Sequence, residues 1–126
     1  MSKKNFSVLV VDDEPVLRET VKRILFDEGF NVFVAADGKS AIEVAKNQDL
    51  DAALLDIKLP DINGVEVFER IKVLRPNLKA VIMTAFEIKE LVNRAFELGA
   101  FACLHKPFDI KKLLHILNEI KRENEQ

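Results

Sequence analysis

Five polar side chains spread along 126 residues are of the types that could together handle a phosphoryl group: Asp12, Asp13, Asp56, Thr84 and Lys106. Each stands just past an apolar run. Asp12 and Asp13 follow Phe6–Val11, Asp56 follows Ala52–Leu55, Thr84 follows Lys79–Met83, and Lys106 comes soon after Phe101–Leu104. Three carboxylates brought together repel one another unless cations intervene. Lys106 brings one positive charge, and a hard divalent ion would bring the rest. Mg²⁺ accepts one or two carboxylates together with waters and phosphate oxygens. A backbone carbonyl can join such a set, and that of Lys58 lies just beyond Asp56. A carboxylate can attack phosphorus and form an acyl phosphate, and phosphoryl transfer depends chiefly on positioning and charge neutralisation. Thr84 would donate a hydroxyl hydrogen bond. The small Ala85 behind it leaves space and a backbone N–H.

These residues meet only if the runs before them are strands with a common direction. Apolar, β-branched stretches bounded by turn formers read as buried strands: Phe6–Val11, Phe30–Ala35, Asp51–Leu55, Lys79–Met83 and Phe101–Leu104. Helical spacing lies between them. Pro15 opens a first helix behind acidic caps, with Leu17, Thr20/Val21 and Ile24/Leu25 on its apolar side and Gly29 as its stop. A short second helix covers Ser40–Asn47. Val65, Phe68, Ile71 and Leu74 mark a third, ending before Pro76. The fourth runs from about Glu87 to Leu98, with Ile88, Leu91, Val92, Ala95 and Phe96 inward or half-inward and Gly99 behind it. The fifth starts near Asp109 and carries Ile110, Leu113, Leu114, Leu117 and Ile120. Asp61 and Asn63 read as loop and cap residues. Alternating strands and helices predict an α/β fold, a parallel sheet with helices on both faces. Right-handed crossovers bring every strand's carboxyl end to one edge, where open α/β sheets place their chemistry.

Composition narrows the alternatives. The length suits one domain over residues 1–126, with a core of about 6–122. No apolar run approaches the ~20 residues of a membrane span, and Met1–Phe6 is too short for a signal peptide, so a cytoplasmic chain is expected. The single Cys103 cannot form an internal disulfide, which agrees. A net charge of −2 gives no general attraction to nucleic acid or an anionic membrane.

Taken singly, each candidate has an ordinary explanation. Asp12 and Asp13 could cap the first helix, Asp56 could end a strand, and Lys106 could be a solvated lysine. His105 and His115 read as surface residues, and Cys103 as a small half-buried hydrophobe. The combination is what ordinary explanations do not account for.

LVVDDEP, LLDIKLPDINGVE, VIMTAFE and ELGAFACLHKPFD, in this order and spacing, resemble the receiver domains of two-component response regulators. The resemblance runs from Phe6 to the end of the last helix. It is nearest to single-domain receivers of the sporulation phosphorelay type and to those heading nitrogen-regulator activators. It implies a flavodoxin-like (βα)5 fold with strand order 2-1-3-4-5. It implies that Asp56 takes a phosphoryl group from the phosphohistidine of a sensor histidine kinase or phosphotransfer protein. Asp13 would ligate Mg²⁺ (or Mn²⁺) directly, Asp12 would help mostly through water, and Asp56 and the Lys58 carbonyl would complete the protein ligands. Thr84, the Ala85 N–H and Lys106 would contact the phosphoryl group. A cis peptide is implied before Pro107. Such a domain catalyses only its own phosphorylation and dephosphorylation.

Two positions depart from the family pattern. Cys103 stands where receivers commonly carry Tyr or Phe, so a switch by aromatic rotation is not expected in its usual form. Phe86, two residues past Thr84, could obstruct an attacking water and lengthen the phosphoryl lifetime. For docking, the resemblance points to Pro15, Val16, Leu17 and Thr20, with Pro107 and Phe108. It points also to a second face around Phe86, Ile88, Leu91 and Phe101, through which a monomer would dimerise when phosphorylated.

Three rivals remain in view. A Mg²⁺-dependent phosphatase with an aspartyl-phosphate intermediate typically needs a second acid two residues after the nucleophile, where this chain has Lys58. A flavodoxin would need a hydroxyl- and glycine-rich loop where Asp12-Asp13-Glu14 stands. A receiver cut from a longer transcriptional regulator is the third; the sequence holds no helix-turn-helix or ATPase motif, so output would come through protein–protein relay or from elsewhere.

Overall fold

Two central strands carry almost nothing but aliphatic side chains, and both are buried along their whole length: β1 (Ser7–Val11) and β3 (Ala52–Asp56). Such strands need cover on both faces. The computed structural model describes residues 5–85 and 88–125. Around the central pair lie β2 (Asn31–Ala35), β4 (Lys79–Thr84) and β5 (Ala102–His105), all parallel, in the order β2-β1-β3-β4-β5. The crossovers are α1 (Pro15–Asp27), α2 (Gly38–Asn47), α3 (Gly64–Leu74) and α4 (Lys89–Glu97), with α5 (Ile110–Asn124) closing the chain.

Period-two alternation along the strands divides the core. Leu9, Val11, Ala53, Leu55, Ala80 and Ile82 join Ala41, Ala45, Phe68, Ile71 and Ala95 of α2, α3 and α4. Val8, Val10, Leu54, Val81, Met83 and Leu104 join Val21, Leu25, Leu113 and Leu117 of α1 and α5. Register then sets the site. Val11 pairs with Ala35 and Leu55, Asp56 with Met83, and Thr84 with His105. All five strands therefore finish at one edge.

Side-chain caps account for three of the five described helix starts. Asp37 accepts from Ser40 N–H, Asn63 from Glu66 N–H and Asp109 from Lys111 N–H, which start α2, α3 and α5. α2 thus begins two residues before the expected Ser40. Gly29 and Gly99 follow α1 and α4 as expected. Acidic capping of α1 is corrected: Glu14 makes no side-chain cap bond, and Pro15 at the first position does the opening. α4 is shorter than expected, and Ile88 and Phe96 are exposed rather than inward. Nine residues give it a single narrow face, filled by Ala95 with Leu91 and Val92 half-buried. Leu74, in the last turn of α3, is also exposed, whereas Ile116 is buried without having been expected.

Candidate functional site

At the carboxyl edge the chain leaves β1 through Asp12, whose N–H donates to the Ala35 carbonyl (3.1 Å) and whose side chain is wholly buried. Its carboxylate accepts the Glu14 N–H at 2.9 Å. Its carbonyl accepts from the Arg18 guanidinium, also at 2.9 Å. Arg18 was not foreseen as part of the site, because a cation one turn into an amphipathic helix carries no distinctive signal. Asp13, next along, is exposed.

Asp56 ends β3 and is only 6% exposed. Its Oδ1 accepts the Lys58 N–H at 3.1 Å. Gly64, the first residue of α3, lies against its backbone: a Cβ there would sit 2.1 Å from the Asp56 carbonyl oxygen. The Gly64 N–H closes the loop on the Ile57 carbonyl at 2.8 Å. A side chain at position 64 would push the end of β3 aside. The cluster of turn formers in the sequence marks the loop, but not this contact.

Lys106 reaches both buried carboxylates, with Nζ 2.6 Å from Asp12 Oδ2 and 3.0 Å from Asp56 Oδ2. Its backbone N–H donates to the Thr84 carbonyl at 2.8 Å, and its bond to Pro107 is cis. Burial pushes the Asp56 carboxyl above its ordinary 3.8, and the hydrogen bond and charge of Lys106 offset this only in part. Burial pulls Lys106 down, but its hydrogen bonds to Asp12 and Asp56 and their charges outweigh that, and the net direction is up.

Thr84 is buried at the end of β4, and Ala85 behind it is exposed. One oxygen from each of Asp12, Asp13 and Asp56 falls within 4.8 Å of the others. With all three ionised, the single ammonium leaves two negative charges. Hard oxygens, a buried pair and an exposed third ligand fit a small divalent cation with water on its open side. Lys58 is exposed in the loop after β3, its N–H bonded to the Asp56 carboxylate.

The positions expected for docking divide. Pro15, Val16, Thr20 and Pro107 are exposed, whereas Leu17 and Phe108 are half-buried against the α1/α5 core. Phe101 packs with that same core, while Cys103 packs with the opposite one beside α4. Ile88 and Leu91 border a groove of about 450 Å³ shared with Ile57 and Leu59. Phe86 lies outside the described residues.

No helix among the described residues is long and apolar enough to cross a membrane. Sporulation initiation phosphotransferase F of Bacillus subtilis (strain 168) is 35% identical over 109 residues, spanning 86% of this chain and 88% of the relative. The chain covers about half of some other curated relatives and about a quarter of others. The CheY-like response regulator receiver domain protein of Methanospirillum hungatei JF-1 superposes with a TM-score of 0.86 at 31% identity, over 95% of this chain and 99% of that one. The CheX–CheY–BeF3–Mg²⁺ complex from Borrelia burgdorferi contains a chain with a TM-score of 0.83 at 30% identity, over 91% and 88%. The sequence model of the response regulator receiver domain matches residues 8–118, and with this edge of carboxylates and lysine the chain belongs to that family, the receivers of two-component phosphorelay signalling.

Proposed function

We propose that Asp56 accepts a phosphoryl group from a phosphohistidine on a sensor histidine kinase or phosphotransfer protein. The observation that carries this is one carboxylate at the end of a buried central strand, 3.0 Å from an ammonium and beside two further carboxylates. An Asp56 carboxylate oxygen forms the bond to phosphorus. The P–N bond breaks, its electron pair stays on the imidazole nitrogen, and that nitrogen takes a proton. Lys106 holds the carboxylate in place and then pairs with the phosphoryl oxygens. Thr84 and the Ala85 N–H donate to the same oxygens.

Asp12, Asp13, Asp56 and the Lys58 carbonyl would hold Mg²⁺, or Mn²⁺ in its place. Bound there, the ion neutralises charge building on the phosphoryl oxygens. The Borrelia relative solved with Mg²⁺ supports this choice. We read the whole of 1–126 as one receiver unit, monomeric and cytoplasmic, that turns over no outside substrate. Phosphorylation shifts a two-state equilibrium through the contacts of Thr84 and Lys106. With Cys103 in the α4-side core, no aromatic ring at that position reports the shift. Exposed Pro15, Val16, Thr20 and Pro107 flank the acidic edge and meet the donor.

The test is to incubate the chain with acetyl phosphate or phosphoramidate and Mg²⁺ and weigh it. A gain of one phosphoryl group that Asp56→Asn abolishes is the expected result. No gain in the wild-type chain overturns the assignment.

A further inference from the structure

We infer that Asp61 is a positioning residue for the cation site: it pins the β3–α3 loop, and with it the Lys58 carbonyl, to the start of α2. The inference rests on the Mg²⁺ reading above.

Asp61 lies outside the acidic cluster, three residues past Lys58. Its carboxylate accepts three backbone N–H groups. Oδ1 takes those of Gly38 and Ile62, and Oδ2 takes that of Lys39, each at 2.9 Å. Gly38 and Lys39 are the opening residues of α2, and the local cap Asp37 takes the next donor, Ser40, at 2.7 Å. The first turn of α2 is therefore shared between two carboxylates, one from its own approach and one from a loop more than twenty residues away. Bonds from N–H groups to an ionised acceptor at a helix start are the stronger kind, and they hold the Asp61 carboxyl below the usual range.

Packing reinforces the tie. A Cβ on Gly38 would lie 2.5 Å from Ile62 Cγ1 and 2.8 Å from Val67 Cγ2, so the loop and α3 press directly on the α2 backbone. On its other side the loop is fixed by Lys58 N–H to Asp56 and Gly64 N–H to Ile57. Lys58 thus sits between two anchors. Mg²⁺ demands near-octahedral geometry, and a carbonyl ligand left unanchored would have to be ordered during binding, which weakens affinity.

A rival role is plain helix capping, which would affect stability alone. Asp37→Ala serves as the reference for that role, since it removes a cap of α2 without touching the loop. Mg²⁺ is titrated calorimetrically into the full chain without phosphodonor, with melting followed in parallel. Asp61→Ala is expected to raise the Mg²⁺ Kd roughly tenfold, and Asp61→Asn, which keeps an oxygen acceptor, by less. Asp37→Ala lowers the melting temperature and leaves the Kd unchanged. With acetyl phosphate, the Mg²⁺ concentration for half-maximal phosphorylation of Asp61→Ala rises in step, while the rate at saturating Mg²⁺ holds. A Kd for both Asp61 variants within about twofold of wild type, or an equal rise in Asp37→Ala, overturns the inference. Should Asp61→Ala not fold, Asp61→Asn alone carries the comparison. A wild-type chain that binds no Mg²⁺ overturns the underlying reading, and the inference with it.

Discussion

The fold disfavours the ionised form of Asp56. Burial raises its pKa, and the ammonium of Lys106 3.0 Å away corrects this only in part. The folded chain therefore binds the Asp56 proton more readily than the unfolded chain does. Its contribution favours folding below the ordinary 3.8 and is lost as pH rises through the higher folded value. At neutral pH without divalent cations the charge is a liability. Asp56→Asn is accordingly expected to melt higher than wild type in chelator at pH 7, with the gain vanishing below about pH 3.8. For a chain of this size each kcal/mol shifts the melting temperature by about 3–5 °C. Adding Mg²⁺ should stabilise the wild type and narrow the gap, because a ligand of the native state adds to its stability. A variant that melts lower than wild type in chelator would show that the Lys106 pair outweighs burial. Lys106 itself acts in the opposite range: its raised value keeps its contribution in place below 10.5 and loses it only in stronger alkali.

Helices and strands position that residue by close contact at their ends. Gly64 brings the start of α3 onto the end of β3, where even a methyl group would fall 2.1 Å from a backbone oxygen. Backbone cannot rotate away as a side chain can. Gly64→Ala is expected to cost about 1–3 kcal/mol or more, read as a lower urea midpoint. It should also lower the extent of phosphorylation by acetyl phosphate, since Asp56 moves with its carbonyl. Farther from the edge, α3 ties its neighbours together. Arg75 donates to the Ala45 carbonyl (2.9 Å) near the end of α2, and Lys72 bonds the Leu98 carbonyl at the end of α4. The strands and most helix starts were legible in the sequence because alternating burial and cap residues are local signals, as at Asn63 and Asp109. The same sequence misplaced Ile88 and Phe96. Helical spacing shows that a face could be apolar, but not how much of it the neighbours will cover. The Asp61–Gly38 tie escaped because it joins segments more than twenty residues apart. Arg18 and Gly64 make shorter-range contacts that depend on how the loops after β1 and β3 fold back, which no residue type announces.

Across the whole molecule, parallel topology does two things at once. It buries two separate apolar layers, one under α1 and α5 and one under α2, α3 and α4. It also gathers the ends of all five strands on one face, so the acidic site and the start of α1 share an edge. Under the proposed function, a protein donor would have to reach Asp56 across that edge, whereas a small phosphodonor need only enter it. Val16, 75% exposed beside Pro15, would on the proposed reading serve the first requirement and not the second. If that edge receives the donor as proposed, truncating Val16 would remove apolar contact with it without disturbing the core, unlike Leu17, which packs partly inside. Val16→Ala is expected to slow phosphotransfer from a phosphohistidine protein by roughly tenfold, a loss of about 1.4 kcal/mol. The loss should be the same at low and high salt, because no charge is altered. Phosphorylation by acetyl phosphate and the melting temperature should match wild type. Equal slowing with both donors would place the defect in the acidic site. Full phosphotransfer with both would mean that the donor approaches Asp56 from another side, past the β3–α3 loop instead of α1.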